Sequence, residues 1–125
     1  MKKLLLPIRP NYVEQIFAGN KRVEYRTRIR KDFTVNQVLI YQSFDVRKIV
    51  GEFRISGIIK GTPEEVWCKT NHIGGINKED YFKYFSKSDV AYAYQIEDLV
   101  IFEKPMELSE FGLNKAPMSF QYVYI

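Results

Sequence analysis

One cysteine and one histidine among 125 residues exclude several common chemistries at the outset. Cys68 has no partner, so there is no disulfide framework. Cys68 and His72 are four residues apart, but a pair falls short of the full tetrahedral set a structural zinc needs, and Gly74-Gly75 follow at once. No metal and no cofactor is expected. Paired-histidine catalysis is excluded too, and neither a Ser-His-Asp set nor a Gly-rich phosphate loop is present. No apolar run approaches the ~20 residues of a membrane span. The opening Met1-Lys2-Lys3-Leu4-Leu5-Leu6-Pro7 is too short in its apolar core for a secretory signal and is interrupted by Pro7 and Arg9, so it reads as a first strand. A reducing cytoplasm and no membrane partner are expected. Repeats, low-complexity tracts and linker-like stretches are also missing, which predicts one domain over 1–125.

Present instead are 46% hydrophobic and 15% aromatic residues, enough for a core in a chain of this length. Net charge is +4, and its basic part is uneven. From Lys21 to Lys31 there are six Lys or Arg against one acid, Glu24, with Arg9 upstream as a further candidate if the fold brings it near. Such a stripe suits a phosphate backbone, where cationic contacts release counterions; the plain alternative is an exposed strand kept soluble by charge.

Local pattern locates this stripe. Pro10 suits a first helical turn, Val13, Ile16 and Phe17 recur at helical spacing, and Gly19 stops the helix, giving helix over 10–18. A strand over 22–29 follows, with Val23, Tyr25 and Thr27 on one face and Arg22, Glu24, Arg26 and Arg28 on the other. Glu24 and Arg26 then point the same way with Cα atoms ~6.6 Å apart, close enough to share a ligand, while Lys21 sits at the turn. A solvated strand face with a minor ion pair is the bland reading.

The remaining order is strands over 3–8, 38–41, 49–59, 90–102 and 120–125, with a turn from Asp45. Gly51 and Gly57 mark bends that let a sheet curl. Thr62-Pro63-Glu64-Glu65 predicts a capping box and a helix anchored by Val66 and Trp67. Asn77 caps another, with Glu79 and Asp80 in its first turn and Tyr81, Phe82 and Phe85 as its apolar stripe. Strands interrupted by helices without regular alternation predict an α+β fold around a small, curled, mixed or antiparallel β-barrel with two to three covering helices.

These residues, taken in order, resemble the ASCH domain of the PUA-like superfamily. Its signature of strand, helix and Gly-x-Lys-x-x-Glu-x-Arg reads here Gly19, Lys21, Glu24 and Arg26. The similarity continues through Ile40-Tyr41, Ile49-Val50-Gly51-Glu52-Phe53, Pro63-Glu64-Glu65-Val66-Trp67, Gly75-Ile76-Asn77-Lys78-Glu79, Tyr84-Phe85, Ala91-Tyr92-Ala93 and Ala116-Pro117-Met118-Ser119-Phe120. The resemblance implies a barrel with a cleft beside the first helix that takes RNA or a modified nucleoside or nucleotide. Lys21, Glu24 and Arg26 would line it, with Arg9, Tyr41, Ser43, Tyr94 and Ser119 as further candidates. Lys21 would offer a mobile cation, Arg26 a planar fork, Glu24 an acceptor and the tyrosines stacking surfaces.

The nearest resemblance is to members described as predicted transcriptional regulators, implying a role in transcription or RNA regulation, although no helix-turn-helix segment fits in this chain. Other members are amidohydrolases acting on acylated cytidine through a lysine aided by a hydroxyl and a carboxylate. Lys21 matches that lysine, Glu24 stands at the hydroxyl's position, and Gly74 falls near the carboxylate. On this alternative Lys21 and Glu24 are catalytic. Ribonuclease activity also occurs among ASCH proteins, but no histidine pair is available to carry it here. Met118 replaces the glutamine expected before Ser-Phe. A regulatory domain with a protein partner is the remaining reading.

Overall fold

The computed structural model describes residues 1–125. Its strands are β1 (Lys2–Ile8), β2 (Val23–Arg26), β3 (Gln37–Gln42), β4 (Lys48–Gly61), β5 (Ala91–Met106) and β6 (Gln121–Tyr124), and its helices are α1 (Pro10–Phe17), α2 (Pro63–Thr70) and α3 (Lys78–Tyr84). The fold is α+β, as its sequence pattern predicts. One mixed sheet runs in the order β2-β5-β4-β3-β1-β6, with β1 parallel to β3 and every other neighbour antiparallel.

The sheet curls without closing into a barrel. No backbone ladder joins its edge strands β2 and β6, and the seam is crossed by the Arg26 side chain instead. Much of the curl arises in β4, whose pairing with β5 shifts register between Ile49 and Gly51 and between Ile55 and Gly57. At Gly51 a Cβ would lie 2.7 Å from the Val100 carbonyl oxygen and 3.2 Å from Phe17 Cζ, so the bend depends on the absent side chain.

Alternation along the strands sends apolar residues to both faces. Leu4, Leu6, Ile8, Val38, Ile40, Phe53, Ile55 and Tyr94 pack on one face with Val13 and Ile16 of α1. Each such burial stabilises by ~1.5 to 3 kcal/mol, which docks the short helix α1. Leu5, Leu39, Tyr41, Ile49 and Val123 form the opposite face, under Leu108, Phe111 and Leu113. A further cluster joins Val23 and Tyr25 of β2 to Val66, Tyr81 and Phe85.

Both expected caps are present. The Thr62 hydroxyl accepts from the Glu65 N–H while the Glu65 carboxylate accepts from the Thr62 N–H, and the Asn77 side chain accepts from the Asp80 N–H. Strand β2 is shorter than its period-two pattern predicts, ending at Arg26 rather than 29. Beyond it the chain leaves β5 and turns inward, so that the Arg30 N–H donates to the Tyr94 hydroxyl at 2.8 Å and its guanidinium to the Val35 carbonyl. No helix is long and apolar enough to cross a membrane.

Candidate functional site

The turn after α1 sets the site. Gly19 takes a positive φ of 84°, and the N–H groups of Asn20 and Lys21 both donate back to the Gln15 carbonyl. This reversal sends the Lys21 side chain inward, leaving the residue 3% exposed. Its ammonium donates to the Gly74 carbonyl at 2.8 Å, lies 3.8 Å from Glu24 Oε1 and stands 4.7 and 5.3 Å from the ring centres of Tyr25 and Tyr12. Burial pulls its pKa below the ordinary lysine value; Glu24 opposes the shift and Arg26 adds to it.

Glu24 and Arg26 share one face of β2, opposite Val23 and Tyr25. Arg26 Nε donates to Glu24 Oε2 at 3.0 Å, and Nη2 is 2.9 Å from the same oxygen. Nη2 also donates to the Pro7 carbonyl of β1 at 2.7 Å, and Nη1 to the Ser119 carbonyl at 3.2 Å. The planar fork is therefore occupied by acceptors of the protein itself, and Arg26 ties β2 to β1 and to the approach to β6. Glu24 is 6% exposed, so this charged face is buried rather than solvated.

Other residues singled out by sequence lie in different surroundings. Ser119 meets Arg26 through its backbone carbonyl. Ser43 Oγ donates to the Ile8 carbonyl at 3.0 Å, next in sequence to the Pro7 carbonyl that holds Arg26. Arg9 is exposed, with its guanidinium 5.4 Å from the Phe44 ring centre. Tyr94 is 1% exposed and its hydroxyl accepts the Arg30 N–H, so it is part of the core. Tyr41 belongs to the opposite sheet face with Leu5 and Leu39 and is not part of the Lys21 network.

A cleft of about 150 Å³ lies between Asn11, Tyr12 and Gln15 of α1 and the segment Gly75, Ile76 and Asn77, with Asp80 at its rim. Tyr12 and Gly75 line this cleft and also touch Lys21, so the lysine lies behind its wall. Gly75 has φ +61°, and a Cβ there would lie 2.5 Å from Lys21 Cβ. A Cβ at Gly74 would collide with the Tyr25 hydroxyl, which shares a 2.7 Å hydrogen bond with Thr70 Oγ1. Close approach of three segments thus requires both glycines.

Sequence reasoning missed Tyr12, Tyr25 and this role of Gly74-Gly75. The double glycine signals a close approach as well as a helix break, and Tyr12 falls one turn before Ile16 on α1. Where the resemblance expects a carboxylate near Gly74, the structure supplies the Gly74 carbonyl as acceptor for the lysine.

Residues 6–104 match the ASCH domain, and the chain belongs to that family, within the PUA-like superfamily. It is 29% identical over 121 residues to the ATP synthase subunit alpha of Ureaplasma parvum, covering 96% of this chain but only 15% of that protein. To the ASCH domain-containing ribonuclease of Zymomonas mobilis it is 24% identical over 97 residues, covering 78% of this chain and 66% of the relative. The crystal structure of a tyrosine-to-phenylalanine variant of Zymomonas mobilis ASCH superposes with a TM-score of 0.87 at 22% identity, over 99% of this chain and 91% of that one. That likeness establishes the fold.

Proposed function

We propose that this chain is an RNA- or nucleotide-binding ASCH module whose ligand enters the cleft between α1 and the Gly75–Asn77 segment. The observation that carries this reading is the Lys21 ammonium, buried behind the Tyr12 and Gly75 wall of that cleft and fixed by Gly74, Glu24 and two aromatic rings. An ammonium so placed supplies a fixed positive potential behind the cleft wall, which favours a phosphate or base carbonyl entering the cleft. Tyr12 offers a ring at the cleft wall, and Asn11, Gln15 and Asn77 offer the donor and acceptor pairs suited to base edges. Glu24 balances the lysine charge, and Arg26 positions Glu24. In this proposal residues 1–125 act as one domain, and the exposed, unpaired Cys68 suits a reducing cytoplasm.

Titration of a fluorescent single-stranded RNA across a salt series tests this. Affinity is expected to fall linearly on a log–log plot, by ~0.7 in slope per phosphate contact, and Lys21→Ala is expected to weaken it further. Binding indifferent to both salt and the substitution would refute the proposal.

A second reading is favoured by the depressed lysine pKa. Burial favours the neutral form of the Lys21 amine, the form able to accept a proton from an attacking water or hydroxyl, with Glu24 close enough to stabilise the ammonium formed. That reading makes the chain a small hydrolase on RNA or on an acylated cytidine-type nucleoside, and the Zymomonas relative bears the name ribonuclease. Lys21-dependent release of cytidine or of RNA fragments would support it; absence of turnover on both substrates leaves the binding module.

A further inference from the structure

A second cavity lies away from the Lys21 cleft and is larger than it. On the sheet face opposite α1, the turn between β3 and β4 and the chain following β5 border an open cavity of about 470 Å³, against about 150 Å³ for the cleft. Ligand pockets generally begin near ~300 Å³, so only the larger space has room for a small molecule as a whole.

Tyr41 forms part of its lining. It is 5% exposed, packed among Leu5, Leu39, Ile49 and Val123, yet its hydroxyl has no hydrogen-bond partner in the protein and is not sealed from the cavity. Buried tyrosines normally find a partner for that group, and this one has none within the protein. Arg47 lines the same cavity from a left-handed backbone conformation of φ 54°, held by its N–H to the Gln42 carbonyl and by Nε to the Phe44 carbonyl at 3.0 Å. Its terminal nitrogens and the ammonium of Lys115 meet no carboxylate. Glu107, the one acid of the lining, is engaged by Lys48 at 3.2 Å. Leu108 and Leu113 supply an apolar wall, and Asn114 an amide with both donor and acceptor.

We propose that this cavity is a second ligand site, for a nucleoside monophosphate unit. The phosphate lies between Arg47 and Lys115, the base rests on Leu108 and Leu113 with Asn114 at its edge, and the Tyr41 hydroxyl bonds the ribose or the phosphate. Two free cations match a dianionic group, and an apolar wall beside an amide matches a planar heterocycle. The unit is either a free mononucleotide or one nucleotide of an RNA strand. The site stands independently of the reading given to Lys21.

Titration of isotope-labelled full-length chain with 5′-CMP and 5′-AMP, followed by NMR, tests the proposal. Shifts are expected at Tyr41, Arg47 and residues 108–116, and cytidine lacking the phosphate is expected to bind at least about tenfold more weakly. The double substitution Arg47→Ala with Lys115→Ala alters exposed side chains and should reduce affinity at least about tenfold. Tyr41→Phe, which keeps the ring in the core, should reduce it several-fold. Shifts at Gly75, Ile76 and Asn77 report the cleft separately in the same titration, which separates failure of this site from failure of the cleft. A single-stranded hexanucleotide identifies the source: if the double substitution also weakens RNA, the unit belongs to a strand, and if only the mononucleotides respond, it is free. No shifts at these residues with millimolar nucleotide, or affinity unaltered by the double substitution, would overturn the proposal.

Discussion

Arg26 and Arg54 are both strand arginines flanked by carboxylates, yet they do different work. Arg54 of β4 reaches Asp98 at 2.8 Å and Glu97 at 2.5 Å with side-chain exposures of 40%, 71% and 56%. Arg26 pairs with a single carboxylate, Glu24, at exposures of 12% and 8%, and spends its remaining donors on the carbonyls of Pro7 and Ser119. Water competes for every bond that Arg54 makes and screens its charges. For the Arg26 pair the protein has replaced water almost entirely, so each lost bond leaves a buried group unsatisfied. The number of ion pairs is thus a poor guide to their weight; burial and the backbone acceptors around them decide it.

The sharpest way to break this comparison is Arg26→Ala. Removing the guanidinium strands a buried carboxylate and two carbonyls, and ~3 to 5 kcal/mol of stability should be lost in urea unfolding. Combining Arg26→Met, Glu24→Leu and Lys21→Met removes every charge of the network and should recover much of that; failure to recover would mean the carbonyl bonds dominate. Gly75→Ala comes next, at ~1 to 3 kcal/mol, because it combines a left-handed backbone with a Cβ driven into Lys21.

Lys21 adds a pH dependence. Its folded pKa lies below the ordinary value of 10.5, so between the two the unfolded chain binds more protons and stability rises with pH. Wild-type unfolding midpoints should therefore climb relative to Lys21→Met as pH is raised toward 10.5, and parallel curves would contradict a desolvated lysine. Arg54→Ala should shift the midpoint by no more than the error of the measurement; a large drop there would collapse the contrast.

Much of the scaffold was legible because its signals are local. Pro10 and Gly19 bound α1, the Thr62–Glu65 box starts α2, and Asn77 caps α3, all through contacts a few residues apart. Alternation also placed Glu24 and Arg26 on one face of β2. Long-range partners were not legible. The acceptors of Arg26 and Lys21 are carbonyls of Pro7, Ser119 and Gly74, and any residue type could supply them. Equally, nothing local shows that Tyr41 shares the Leu5 and Leu39 face, because that depends on the parallel pairing of β1 with β3. The expected barrel failed to close for a related reason: alternation defines strands and faces, whereas closure depends on whether the two edges find a common register.

That open seam sets a clock. A ladder of backbone bonds parts only when several break together, a rare collective event. Where β2 meets β1 and the approach to β6, the fastening is one guanidinium, released by rotation about side-chain bonds. Amide exchange at the seam should therefore follow the lifetime of the Arg26 contacts, while the β3, β4 and β5 interior waits for wholesale opening.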